Sequence, residues 1–105
     1  MKIIELEHPL AKHYLTLLRE KNTSFEIFRS AASKLSYLLI IEATKNLELD
    51  QEKIQTPLVE TLGYKLSSNT VAVSVLRAGL GLIDGPKDLI PGMTFGYIGV
   101  QRNEE

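Results

Sequence analysis

The fold is decided by residues 69–102, NTVAVSVLRAGLGLIDGPKDLIPGMTFGYIGVQR. The stretch opens with a β-branched, almost wholly apolar run at 69–76, which is typical of a strand covered on both faces. A second apolar run, at 93–100, predicts another buried strand. The residues between them predict a short helix that is interrupted or ended at Asp84–Pro86, because proline disfavours helical geometry at the residue before it. Strand, crossover and strand together predict a right-handed βαβ unit.

Upstream of this unit the sequence predicts two helices. The first covers HPLAKHYLTLLRE (8–20), with Pro9 at the first helical position, where a missing N–H is harmless. Thr23 and Glu26 have the spacing of a capping box, which predicts that the second helix opens there and continues to about Leu47. Its apolar positions repeat at helical spacing and predict its buried face: Phe25, Phe28, Ala32, Leu35, Leu39 and Ala43.

Between the helices and the βαβ unit lies a segment that alternates loosely, IQTPLVETLGYKL (54–66). It predicts a β-hairpin, and Pro57 restricts that hairpin to a sheet edge because proline cannot donate to a ladder. The fold class is therefore α/β. We interpret residues 1–105 as one domain unit made of a helical lead segment (1–47), a hairpin arm (48–67) and the start of a core sheet (68–105).

Composition restricts the functional classes. The chain has 105 residues, of which 44% are hydrophobic and 24% charged, and its formal net charge is −1. This balance gives no bulk attraction to nucleic acid or to a membrane. The absence of cysteine removes disulfides and thiolate chemistry and suits the cytosol. The N-terminus has no signal-peptide pattern, and no apolar stretch approaches the ~20 residues of a membrane span.

Two arginines stand where a parallel sheet binds its ligands, beyond the carboxyl ends of the strands. Arg77 follows the first core strand and Arg102 follows the second. Since neighbouring parallel strands lie ~4.8 Å apart, the two guanidinium groups could clamp one polyphosphate, with Gly79 and Gly81 allowing close backbone approach. On spacing alone, the favoured interpretation is a plain glycine-rich turn with one exposed arginine and a strand-end arginine paired with a nearby acid. No Walker or dinucleotide-binding pattern is present.

Other titratable residues suggest structural roles. His8 and His13 lack the i, i+4 spacing of a metal pair on one helical face, and His8 is expected to fix the start of the first helix. Asp84 before Gly85 is typical of turn chemistry. No nucleophile has a neighbouring base, so we assign neither a catalytic residue nor a metal ligand.

Four short stretches closely resemble uracil phosphoribosyltransferases: LRAGLGLIDG (76–85), RNEE (102–105), EHPL-KHYLTLLRE (7–20) and EAT (42–44). They occur in order along the whole chain. Members of that family are about twice as long as this chain, so the resemblance implies the N-terminal half of a type I phosphoribosyltransferase fold.

The resemblance also implies a function. The family transfers phosphoribose from phosphoribosyl pyrophosphate to N1 of uracil, which yields UMP for pyrimidine salvage and releases pyrophosphate. By resemblance, Arg77, Ala78 and Gly79 belong to the loop that binds the pyrophosphate, and Arg102 is a second arginine on the same substrate. Mg²⁺ would be bound with the pyrophosphate. The family further implies a cytoplasmic homo-oligomer, with no nucleic-acid or membrane partner.

The resemblance implies that part of the site lies beyond Glu105. The family's phosphate-cradling loop, an Asp followed by Ala-Thr-Gly-Gly, and the backbone that hydrogen-bonds uracil both belong there. We therefore expect a truncated chain that is inactive alone; the alternative is a catalytically inert fragment that self-associates. Inside the match, Ser74 stands where the family usually has proline, and Pro86 stands where it usually has an aliphatic residue.

Overall fold

The computed structural model describes residues 2–67, 70–76, 81–90 and 92–99. Within these ranges the order of elements is α1 (Pro9–Arg19), α2 (Phe25–Ala43), β1 (Leu49–Gln55), β2 (Glu60–Leu66), β3 (Val71–Leu76), α3 (Asp84–Leu89) and β4 (Thr94–Gly99). The described strands form an antiparallel hairpin, β1–β2, and a parallel pair, β3–β4. The α/β class is confirmed.

The start of α1 agrees with the sequence prediction. Pro9 is the first helical residue, and His8 caps the helix through Nδ1, which accepts a hydrogen bond from the Leu10 N–H at 3.1 Å. The helix then packs along α2. The Lys34 ammonium of α2 lies 5.8 Å from the centre of the Tyr14 ring, which adds a cation–π contact between the two helices.

The predicted cap of α2 was wrong by one residue. Ser24, and not Thr23, is the N-cap, and its Oγ accepts a hydrogen bond from the Ile27 N–H at 3.3 Å. Glu26 therefore occupies the second helical position, where it cannot complete a capping box with Thr23. The Thr23 hydroxyl is buried without a partner among the described residues. The helix also ends earlier than predicted, at Ala43, and Thr44 turns back to donate its hydroxyl to the Ile40 carbonyl at 2.6 Å.

The predicted buried face of α2 was also wrong in part. Its buried residues are the small ones, Ala31 and Ser36, whereas Phe25, Phe28 and Leu39 are exposed. Ser36 is buried because α3 crosses α2 there at very short range.

The hairpin is confirmed, with different strand boundaries. The polar residues 49–53 belong to β1, and Pro57 lies in the turn rather than in a strand. Thr56 organises this turn: its Oγ accepts from the Val59 N–H at 2.9 Å and from the Leu58 N–H at 3.3 Å. A cross-strand ion pair joins Lys65 Nζ to Glu52 Oε2 at 3.2 Å.

The crossover between β3 and β4 differs from its prediction at one point. The helix α3 begins, rather than ends, at Asp84–Pro86. Pro86 is its third residue, and the N–H groups of the first helical turn have no partner inside a helix, so the ring costs no hydrogen bond there. The strands on either side run parallel, as predicted, in register from Val71↔Thr94 to Leu76↔Gly99.

The chain exposes more surface than a compact protein of its mass. Its accessible surface is 9069 Å² and its extents are 62 × 32 × 29 Å. A compact monomer of 11.7 kDa is expected to expose about 5,900 Å². Among the described residues, no helix is long and apolar enough to cross a membrane.

Candidate functional site

The carboxyl ends of β3 and β4 lie side by side. Leu76 ends β3 and is the register partner of Gly99, which ends β4. This confirms the shared strand edge on which the anion-site prediction depends. Arg77 follows Leu76 directly in the sequence, and Arg102 comes three residues after Gly99. Both arginines, with Ala78 and Gly79, lie outside the described residues, so their grouping into a site stays a prediction.

Directly behind this edge, α3 is fixed to the middle of α2 by a buried hydroxyl. Ser36 is only 2% exposed. Its Oγ accepts a hydrogen bond from the Gly85 N–H at 2.8 Å and donates to the Ser33 carbonyl at 2.5 Å. Gly85 is the second residue of α3, and its N–H has no partner within the helix. A side chain of α2 thus satisfies an N-terminal amide of α3.

The same junction requires glycine at position 85. A Cβ placed there would lie 2.5 Å from both the carbonyl carbon and the carbonyl oxygen of Ser36. Such a contact is far below van der Waals distance, and the opposing atoms are backbone that cannot rotate away. Gly85 therefore sets how closely the two helices approach.

A second polar contact follows one residue along α2. The Tyr37 hydroxyl donates a hydrogen bond to a carboxylate oxygen of Asp88. This bond raises the pKa of the Tyr37 phenol above its usual value, with smaller contributions from burial and from the negative charges of Asp88 and Asp84. Ser36 and Tyr37 together fasten α3 at its first turn and near its end.

Sequence reasoning missed this junction. Ser36 carried no signal, because a serine in a helix interior reads as a weak helix former with a solvent-facing hydroxyl. The available hint was the small residue Gly85 beside Pro86, which was interpreted as a helix stop. His8 caps α1, as expected, and His13 contacts the Tyr14 ring with centroids 5.3 Å apart. Within the part of the chain that the structure describes, no three His, Asp or Glu side chains group as a metal site.

A cavity of about 220 Å³ lies between α3 and the sheet. Ala72, Ser74 and Phe95 line it from the strands, and Pro86 lines it from α3. The Ser74 Oγ is buried and has no hydrogen-bond partner among the described residues. Ser74 and Pro86, the two residues expected to differ from the family's usual ones, therefore line the same cavity.

Comparison with known proteins supplies the family. The family model described as uracil phosphoribosyltransferase matches residues 5–105. The chain belongs to this family. Uracil phosphoribosyltransferases from Wolinella succinogenes and Malacoplasma penetrans are 45% and 46% identical to it over 100% and 94% of its length. These matches cover 51% and 48% of the two relatives, so the chain spans about half the length of the curated relatives it matches.

A solved structure shows the same half fold inside a longer chain. The AQ2163 protein from Aquifex aeolicus is 34% identical and matches with a TM-score of 0.89 over 99% of this chain and 50% of its own. The two helices, the hairpin and the parallel strand pair thus form one half of a uracil phosphoribosyltransferase-type domain, as the resemblance implied.

Proposed function

We propose that this chain provides the pyrophosphate-binding half of a uracil phosphoribosyltransferase, which transfers phosphoribose from phosphoribosyl pyrophosphate to N1 of uracil. The observation that carries the proposal is the family match over residues 5–105. The parallel strands ending in register at Leu76 and Gly99 support it, because that edge is where such sheets bind ligands.

The proposed site acts by electrostatics. Arg77 and Arg102 bind oxygens of the pyrophosphate, and the backbone at Ala78 and Gly79 approaches them closely. A guanidinium group suits this task because its planar fork engages two oxygens at once. As the bond from ribose C1 to pyrophosphate breaks, negative charge grows on the leaving group while the sugar becomes oxocarbenium-like. Cations fixed beside that leaving group stabilise the transition state more than the ground state.

Magnesium enters this proposal as part of the substrate. The described residues contain no cluster of three acidic or histidine side chains that would hold the ion by themselves. We therefore assign no residue of the described ranges to it. It would accompany phosphoribosyl pyrophosphate, bound to phosphate oxygens, and would neutralise part of the substrate's charge.

The activity test uses two chains: residues 1–105 alone, and the same residues fused to the second half of the Wolinella succinogenes relative. UMP formation from uracil, phosphoribosyl pyrophosphate and Mg²⁺ is measured in both. We expect no turnover by residues 1–105, because the resemblance places the phosphate cradle and the uracil contacts after them. Turnover in the range of ~1–1,000 per second is expected of the fusion; a well-folded fusion without turnover contradicts the proposed function.

The arginines are tested by pyrophosphate titration of residues 1–105. With two contacts and no phosphate cradle, we expect binding no tighter than roughly millimolar. Arg77→Ala should weaken it further, whereas Arg19→Ala, at the end of α1, should leave it unchanged. Equal affinity of the parent and Arg77→Ala would remove Arg77 from the site.

A second candidate function is self-association, favoured by the exposure of large apolar residues on α2 and on the hairpin. Leu58, in the hairpin turn, is 95% exposed, and Leu62 and Tyr64 of β2 are also exposed. We propose a homo-oligomer formed through these segments. Sedimentation at about 100 μM tests it, and a monodisperse monomer would contradict it.

A further inference from the structure

We propose that one face of the β3–β4 sheet is the docking surface for the second half of the family fold, and that it accepts this half when it is supplied as a separate polypeptide. The inference rests on the proposed function for the identity of the occupant. Beyond that function, it assigns a specific docking surface on this chain and an association of the two halves that needs no peptide bond between them.

The two faces of the sheet are unequal. Ala72 and Phe95 are register partners on the side that meets α3, where they line the 220 Å³ cavity with Pro86. Val71, Val73 and Ile98 belong to the opposite side, because side chains alternate along a strand and register partners share a face. Val73 Cγ2 lies 3.6 Å from the Cβ position of Gly96, its register partner, so these two residues share a side, although Val73 also contributes to the cavity lining.

This second side, which we call the open face, is apolar and uncovered by any described residue. Val71 is 59% exposed, Val73 56% and Ile98 51%. Parallel sheets are found almost only with helices on both faces. Their strands are therefore apolar on both sides and do not alternate between apolar and polar residues. A sheet with one covered face is therefore incomplete, and the composition of β3 matches burial that the described residues do not provide.

The excess exposed surface of the chain is large enough to form a stable interface. The accessible surface exceeds that of a compact protein of this mass by roughly 3,000 Å², whereas a standard protein–protein interface buries ~1,600 Å² in total. Part of that excess belongs to the hairpin and to α2. Another part belongs to the open face and to the edges of β3 and β4 that pair with no described strand.

The occupant follows from the structural match. In the AQ2163 protein the same fold covers only 50% of the chain, at a TM-score of 0.89. The occupant we propose is the second half of a uracil phosphoribosyltransferase, since this chain covers only 51% of the Wolinella succinogenes relative, and we expect that half to be apolar where it meets Val71, Val73 and Ile98. A second copy of this chain would instead present another half sheet, which has α3 on one side only.

The experiment co-expresses His-tagged residues 1–105 with the untagged second half of the Wolinella succinogenes relative. We expect the two to co-purify and to sediment with the mass of a complex containing equal numbers of each. Recovery of both soluble chains without a complex overturns the proposal.

Two variants locate the surface. Val73→Asp places a charge in the centre of the open face and should weaken the complex at least about tenfold, or ~1.4 kcal/mol. Ile3→Asp makes a comparable chemical change ahead of α1, where Ile3 is 86% exposed, and should leave the complex intact. Far-UV circular dichroism of each variant confirms that it folds, and Ile98→Asp repeats the test from β4. A folded Val73→Asp and a folded Ile98→Asp that both bind like the parent would overturn the assignment of the face.

An assay of UMP formation by the complex distinguishes a failure of this inference from a failure of the proposed function. A complex that forms but yields no UMP retains the docking surface and contradicts the enzymatic proposal. Conversely, an active fusion protein whose halves never associate when separate retains the enzymatic proposal and overturns docking in trans.

Discussion

The Gly85 N–H and the Ser36 Oγ are joined by a 2.8 Å hydrogen bond in a junction that has no room for a Cβ on the glycine. This one contact connects residues 49 positions apart and holds α3 against α2. Because α3 follows the proposed pyrophosphate loop in the sequence, we expect the position of that loop to depend on how α3 is held. The first two predictions concern this contact.

Gly85→Ala should destabilise the chain by about 1–3 kcal/mol, since the added methyl group overlaps backbone atoms of Ser36 and forces the helices apart. Urea unfolding followed by circular dichroism measures the change. Gly99→Ala is the matched control, because a Cβ at Gly99 would meet nothing within 4 Å, and its effect should stay within about 0.5 kcal/mol. Equal effects of the two substitutions would contradict the steric account.

Ser36→Ala should cost about 1–3 kcal/mol, because it leaves the buried Gly85 N–H without an acceptor. Ser30→Ala, at an exposed position of the same helix, should be neutral or slightly stabilising since alanine is the better helix former. The same unfolding measurement compares them. A neutral Ser36→Ala would mean that water replaces the lost hydroxyl.

Tyr37→Phe should change how stability depends on alkaline pH. The Asp88 carboxylate accepts a hydrogen bond from the phenol, so the pKa of Tyr37 is raised in the folded state and the neutral phenol is favoured there. The contribution of this group is full below about pH 10, the usual tyrosine value, and is lost as the pH rises through the raised pKa. Thermal unfolding from pH 8 to 11.5 should show a steeper alkaline decline for the parent than for the variant; parallel curves would argue against the contact.

Ser24→Ala should destabilise α2 by about 1 kcal/mol, because the Ser24 hydroxyl caps the Ile27 N–H. Thr23→Ala should cost less than about 0.5 kcal/mol, because the Thr23 hydroxyl is buried without a partner. Helical circular dichroism during urea unfolding distinguishes the two. A larger loss of stability for Thr23→Ala than for Ser24→Ala would instead support the capping box predicted from the sequence.

Local patterns in the sequence predicted the elements well. Pro9 after His8 predicted the start of α1, and the apolar runs at 69–76 and 93–100 predicted the parallel pair. These signals are local: they depend on backbone chemistry within a few residues. The resemblance to the family was confirmed by the family match over residues 5–105.

Packing partners could not be read in the same way. Periodicity identified an apolar stripe on α2, but the contact of α2 with the start of α3 is made by the small polar residue Ser36. Nothing in a single helix shows that a glycine 49 residues further on will approach its backbone. The error at Asp84–Pro86 has a related cause, because proline is equally suited to ending a helix and to lying in its first turn.

The hairpin leaves the core and returns to it at one place. Leu49 pairs with Leu66, and the Ser67 N–H donates to the Glu48 carbonyl at 3.1 Å. The distance from the end of α2 to the start of β3 therefore does not depend on the length of the two hairpin strands. Each doubling of a flexible loop adds only about 0.6 kcal/mol of closure entropy. Insertions or deletions of paired residues in this arm should consequently be tolerated by the rest of the fold, which makes it the part of the chain best suited to variation in length.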